Sequence, residues 1–287
     1  MARTWIITGA GTGFGFKLTE YALGRGDNVV IGARRLETVA ALAAAHPDAA
    51  APVQLDVTDD SQRKAAVDTA LEKFGAIDVL VNNAGTDFVG AVEEQEEKDF
   101  RAVFEVNFFG AVGMIRAALP TLRSQGSGTI VNISSEDGIA GLPANAFYSA
   151  SKFALEGLSD ALAVEVRDLG IHVLLVEPGA FRTGIVYRTR ASGAVIAAYD
   201  KLTRPFRDAV ANPAAADVDL NPGDPERAVP LIYAEATSAS PRRRLILGSD
   251  SLENISRAVA SLQQDINDNT RSAALTDDPA WTGSRIV

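Results

Sequence analysis

The feature that most constrains this chain is a series of short apolar segments without polar alternation, each followed by a stretch with helical spacing. Residues 5–8, 28–32, 52–56, 79–82, 129–134 and 172–177 form the apolar series. A strand with one wet face alternates apolar and polar residues; these do not, so both of their faces must be covered. Segments 16–24, 36–45, 61–74, 96–106, 110–124 and 148–169 carry the helical spacing between them. Buried strands joined through helices need right-handed crossovers, which leads to a parallel sheet with helices on both faces. The expectation is a doubly wound, Rossmann-like α/β fold, with residues 244–248 as a seventh strand. Ser61 is the expected N-cap of its helix, and Pro120 predicts a kink or a late break in its own.

Between the first strand and the first helix stands Thr8-Gly-Ala-Gly-Thr-Gly-Phe-Gly15. Glycines there let the backbone approach a pyrophosphate while the helix N-terminus points its N–H groups at the anion. Their spacing, Gly9, Gly13 and Gly15, differs from the Gly-x-Gly-x-x-Gly of most dinucleotide-binding turns. At the end of the second strand, Ala33 stands where NAD-binding folds place an acidic residue for the ribose 2′-hydroxyl. Arg34 instead offers a planar cation suited to phosphate oxygens, with Arg35 either assisting or simply solvated.

Tyr148 and Lys152 lie four apart, which on a helix puts both on one face. A cation beside a tyrosine favours the phenolate, bringing a pKa near ~10 towards neutrality. Ser135, at the end of the preceding strand, adds a hydroxyl facing the same space. Proton donor, tuner and oxygen-binding hydroxyl together suit carbonyl/alcohol interconversion; the Tyr–Lys pair alone reads as a solvated helix face with an ordinary aromatic anchor.

With these motifs in order from Thr4 to about Thr183, the chain resembles the short-chain dehydrogenase/reductase family, in its compact single-domain subclass. The resemblance implies a catalytic group of Asn107, Ser135, Tyr148 and Lys152, with Asn107 kinking its helix and holding a water for proton relay. It implies a nicotinamide cofactor held by Gly9, Thr12, Gly13, Phe14 and Gly15, by Asp56 and Val57 at the adenine, and by Asn83, Ala84 and Gly85 after the fourth strand. Tyr148 and Lys152 join them at the ribose, and Pro178, Gly179, Phe181 and Thr183 at the carboxamide. Members with Ala-Arg after the second strand resemble NADP(H) users, so NADP(H) is expected, with NAD(H) accommodated at lower affinity. Thr12 is neutral, so one of the two basic residues sometimes found in such members is missing. Phe14 replaces the usual isoleucine as an apolar plug, and Glu136-Asp137 follow Ser135 where small or apolar residues are commoner. Those carboxylates read as a pocket mouth favouring polar or cationic substrates, or as a solvated turn.

The implied function is an NADP(H)-dependent ketone or aldehyde/alcohol oxidoreductase. The alternative is a non-catalytic, redox-sensing NADP(H)-binding protein; the extended subclass of epimerases and dehydratases has a differently spaced glycine motif. Helices 110–124 and 150–169 are expected to pair with their copies in a homodimer or homotetramer, through outer faces carrying Ala117, Ala118, Ala154 and Leu158.

Residues 1–262 read as one domain, with 184–230 as a substrate-loop insert at the ligand-binding edge, a lid or a packed surface excursion. Five prolines punctuate that insert, around a helical fragment at 195–202. A helix at 252–262 precedes a polar tail, 263–287, expected to be flexible or docked on a neighbour and to end near Trp281. A net charge of −10 argues against nucleic acid as a partner. No apolar run reaches the length of a membrane span and the first residues carry no leader pattern, so the expected location is the cytoplasm. The chain has no cysteine, and His46 and His172 are far apart, so no metal site is expected. His172 reads as a buried or edge histidine, and Arg242-Arg243-Arg244 as a solvated strand start or an anion site.

Overall fold

The computed structural model describes residues 2–191, 193–214, 221–280 and 283. Its main sheet has seven parallel strands in the order β3-β2-β1-β4-β6-β7-β9. These are β1 (Thr4–Ile7), β2 (Asn28–Ala33), β3 (Ala50–Gln54), β4 (Val79–Asn82), β6 (Gly128–Ile133), β7 (Ile171–Pro178) and β9 (Arg244–Leu247). The chain winds one way from β1 to β3 and the other way from β4 to β9, so the C-terminal ends of β1 and β4 diverge into a crevice.

Successive strand residues serve opposite faces, as the two-residue period requires. Trp5, Ile7, Val29, Ile31, Val79 and Val81 pack on one side with α1 (Gly13–Gly24) and α8 (Pro225–Ala236). Ile6, Val30, Leu80 and Ile130 pack on the other with α3 (Asp60–Phe74), α5 (Ala111–Gln125) and α6 (Ala146–Glu165). A short helix, α2 (Ala40–Ala45), precedes β3. The expected N-cap Ser61 is displaced by Asp59, whose carboxylate accepts from the N–H groups of Ser61 and Gln62 at 2.8 and 3.1 Å. Ser61 falls in the first turn, and its hydroxyl donates to the same carboxylate.

Helix α4 (Glu97–Phe104) runs through a wide π turn, Glu105–Gly110, directly into α5. Pro120 sits inside α5 without ending it. Pro120 and Arg116 are both exposed, so the carbonyl that proline leaves without its N–H partner lies on the solvent side. The combined helix Glu97–Gln125 is long and apolar enough to cross a membrane by length and composition. Here its apolar face, with Met114, Ile115, Ala118 and Leu122, is packed against the sheet. Ala118, expected on an outer face, is therefore core; the exposed large apolar side chains of this helix and α6 are Phe109, Phe153 and Val164.

The insert contributes β8 (Arg190–Ala191), which pairs in parallel with β5 (Phe88–Val89) from the segment after β4, and a helix, α7 (Asp200–Ala211). That helix starts later than the expected 195–202, where Asp200 in its first turn pairs with Arg204 and Arg207. Residues 225–230 belong to α8, whose Ala228, Val229 and Ile232 are core. The last helix, α9 (Ser249–Ala274), extends twelve residues past the expected end at 262. Its later turns carry exposed side chains tied by i,i+4 hydrogen bonds, Gln263 to Asn267 and Gln264 to Asp268. The expected tail end at Trp281 lies outside the described residues.

Candidate active site

The glycine loop is tied to the end of β4. Thr8 Oγ1 accepts from the N–H groups of Asn83 (2.9 Å) and Ala84 (3.0 Å), and the Asn83 amide donates to the carbonyls of Thr8 and Gly9. Gly13 has φ +59°, and a Cβ there would lie 2.9 Å from the Thr183 carbonyl oxygen; one on Gly15 would lie 2.4 Å from Asn83 Nδ2. Helix α1 has Thr12 as N-cap with no side-chain cap and no acid in its first turn. Its leading N–H groups are left for an anion, which is the fit a cofactor pyrophosphate requires.

Phe14 is buried against Phe181, with ring centroids 5.1 Å apart, the apolar plug expected of it. Asp56 follows β3 with its carboxylate accepting from Thr58 N–H (3.0 Å) and Oγ1 (2.7 Å); the Val57 side chain is buried. Gly85 is placed beside Asn107. Pro178 ends β7, Gly179 N–H donates to Leu247, and Ala180 N–H donates to the Asp250 carboxylate at 2.8 Å. Arg34 is exposed at the end of β2. Beside it Arg188, from the insert, donates to Thr12 Oγ1.

Ser135, Tyr148 and Lys152 meet at the C-terminal end of β6. The Ser135 hydroxyl is within hydrogen-bonding reach of the Tyr148 phenol and accepts from Asp137 N–H at 3.2 Å. Lys152 Nζ donates to the Ile133 carbonyl at 2.8 Å and lies 5.4 Å from the centre of the Tyr148 ring. Asn107 is buried in the wide turn; its Oδ1 accepts from Thr86 N–H (2.9 Å) and its Nδ2 donates to Thr86 O (3.0 Å) and Ser151 Oγ (3.2 Å). Ser151 precedes Lys152 on α6, so Asn107 joins the group through that neighbour.

The electrostatics correct two expectations. Glu136 and Asp137 are not a solvated turn: both are buried. Asn254 donates to Glu136 at 2.7 Å, while Asn145 and Ser149 donate to Asp137 at 2.8 and 3.1 Å. Nor is the Tyr148 pKa lowered. Burial raises it, and the Asp137 and Asp87 carboxylates raise it further, against the Ser135 hydrogen bond. Lys152 lies against the ring, and burial pushes its own pKa down to about 8 despite the carboxylates of Asp137, Glu156 and Asp87. Burial pushes Asp87 up to about 7 and Asp137 up to about 6.

Asp87, Thr86, Ser149 and Ser151 escaped sequence reasoning. The two serines flank Tyr148 and Lys152 on one helix, a spacing that was there to be read; Asp87 gives no local signal. Arg244 is also no solvated strand start: it contacts Glu156, Asp160 and Glu177. His172 is exposed near the start of β7.

The family model for short chain dehydrogenase matches residues 3–193. A short-chain dehydrogenase from Streptomyces avermitilis is 38% identical, with a TM-score of 0.87 over 97% of this chain and 100% of that one. A 3-ketoacyl-(acyl-carrier-protein) reductase from Brucella melitensis, solved with NADH, is 26% identical, with a TM-score of 0.71 over 85% of this chain and 95% of that one. A short chain dehydrogenase from Burkholderia cenocepacia, solved with NADP, is 25% identical, with a TM-score of 0.72 over 94% and 97%. The chain belongs to the short-chain dehydrogenase/reductase family. It is an oxidoreductase of that family for alcohol- and ketone-type substrates, built around a nicotinamide cofactor.

Proposed function

We propose that the protein interconverts a ketone or aldehyde and an alcohol, with NADP(H) preferred over NAD(H). The observation that carries this is the convergence of Ser135, Tyr148 and Lys152 at the open end of the sheet. The pyrophosphate falls to the residues from Gly9 to Gly15, the 2′-phosphate to Arg34 and the adenine to Asp56 and Val57. Asn83, Ala84 and Gly85 line the crevice, Tyr148 and Lys152 hold the ribose, and Pro178, Gly179, Phe181 and Thr183 receive the carboxamide.

When bound, the nicotinamide supplies the hydride in reduction and accepts it in oxidation. Tyr148 gives its phenolic proton to the carbonyl oxygen as that oxygen becomes basic, and Ser135 donates a hydrogen bond to the same atom. The raised Tyr148 pKa keeps the phenol protonated until then. Lys152 as ammonium stabilises the phenolate left behind, and with a pKa of about 8 it exchanges protons near neutrality. Asn107 holds the wide turn through Thr86 and positions Ser151 beside Lys152. In oxidation the proton transfers reverse.

Following NADPH consumption across a ketone and aldehyde panel tests this reading. Saturable binding without turnover on any substrate would favour the non-catalytic redox sensor, against which the complete Ser-Tyr-Lys-Asn group argues. The same reading includes a homodimer or homotetramer using the exposed Phe109, Phe153 and Val164. It also includes a cytoplasmic location and a small-molecule partner rather than nucleic acid or membrane, in keeping with the net charge of −10.

A further inference from the structure

The cofactor preference proposed above was read from one cation, Arg34; a second reaches the same place from a distant part of the chain. Arg188 lies in the strap between Gly184 and β8, 176 residues from Thr12, yet its guanidinium donates to Thr12 Oγ1. Thr12 is the glycine-loop position whose neutrality left one basic residue missing. Arg188 is half-buried, and Arg34 is near enough to add to the effect of burial on its basicity, with no carboxylate opposing either. Among the described residues, Arg34 and Arg188 form no ion pair. Two neighbouring guanidiniums without a counter-ion repel, and a phosphate held by both would remove that cost while engaging both sets of donors.

We propose that Arg188 is a second, specificity-determining ligand of the cofactor's 2′-phosphate, delivered by the strap rather than by the glycine loop. This rests on the reading that NADP(H) is preferred. The strap also reaches the reacting group. Thr189 is buried beside the Asp87 carboxylate, Arg190 N–H donates to the Asp87 carbonyl, and Arg190 and Ala191 pair with Phe88 and Val89. Asp87 in turn acts on both Tyr148 and Lys152. A 2′-phosphate on Arg188 therefore fastens the strap that lies beside the reacting residues, while a ribose with a free 2′-hydroxyl leaves it unfastened.

Adenosine 2′,5′-bisphosphate and adenosine 5′-phosphate differ only in the 2′-phosphate. Their affinities for wild type, Arg34→Ala, Arg188→Ala and Arg188→Lys are measured by calorimetry, with trypsin cleavage at Arg188 and Arg190 as an independent readout. Arg188→Ala is expected to weaken the bisphosphate about tenfold or more, the scale of a lost charge-assisted hydrogen bond. It should leave the monophosphate within about twofold, which also shows that the variant is folded. Arg188→Lys should recover part of the loss, and the bisphosphate alone should protect the wild-type strap from trypsin. A wild type that binds both nucleotides equally overturns the NADP(H) reading itself. A wild type that discriminates, loses discrimination in Arg34→Ala and keeps it in Arg188→Ala leaves that reading standing and overturns the role of Arg188.

Discussion

Arg244, on the edge strand, places its Nε 3.0 Å from Oε1 of Glu177, a side chain with no exposed surface. The same guanidinium reaches Glu156 at 3.1 Å and Asp160 at 2.9 Å on α6. One cation thus serves three carboxylates, two of them buried. Arg244→Met should destabilise the fold by about 3–5 kcal/mol, because removing one partner of a buried pair strands the other. Adding Glu177→Gln should recover part of that loss. Urea denaturation of the two variants checks both; a midpoint unchanged by Arg244→Met would refute the assignment.

Stability should fall as pH rises from about 5 to 7.5. Burial pushes Asp87 and Glu177 up to about 7 and Asp137 up to about 6. Between their ordinary values and these, the folded chain binds more protons than the unfolded one, so ∂ΔG/∂pH of unfolding is negative. Lys152 acts oppositely at higher pH. Its folded pKa of about 8 lies below its ordinary value, so its contribution to stability rises with pH between the two. Urea midpoints at pH 5.5 and 7.5 test this; the first should be higher, and Asp87→Asn should flatten the difference.

Tyr148→Phe removes the only proton the phenol offers while keeping the ring that packs beside Lys152. Turnover should drop by about 10² or more, the scale of a lost general acid, with cofactor binding within a few fold. Comparable turnover across the pH range would remove Tyr148 from the mechanism.

Gly13→Ala should lower both stability and cofactor affinity. A Cβ there meets the Thr183 carbonyl at 2.9 Å in a left-handed conformation, a cost of about 1–2 kcal/mol before any ligand is considered. Gly24→Ala, in the last turn of the same helix with open space around its Cβ position, should instead be neutral or stabilising. Thermal unfolding and cofactor titration of the pair separate local strain from a general glycine effect.

The fold was legible because its strands are apolar on both faces and its motifs fall at strand ends, where topology alone decides what meets. Ser135, Tyr148 and Lys152 were legible for the same reason: the end of β6 and the start of α6 must face one crevice. Asp87 was not, because its neighbour Thr189 comes from a strap more than 100 residues away and leaves no periodic trace. The direction of the Tyr148 pKa failed for a related reason. The cation four residues on was visible in sequence, whereas the carboxylates of Asp137 and Asp87 act through space. The helical tail beyond 262 was missed because residues 263–274 are mostly polar, with Ile266 their one large apolar side chain, and because i,i+4 hydrogen bonds between polar side chains leave no hydrophobic signal.

The wide turn at Glu105–Gly110 behaves as a one-residue insertion in an otherwise regular helix. Val103 before it and Met114 after it are both fully buried. Deleting one residue of the turn should restore a regular helix and present a different side chain where Asn107 now meets Thr86 and Ser151, so a thermal midpoint near that of the wild type with turnover lost is the expected outcome. On that outcome the site's asparagine is separable from the scaffold, lost or gained through a single codon.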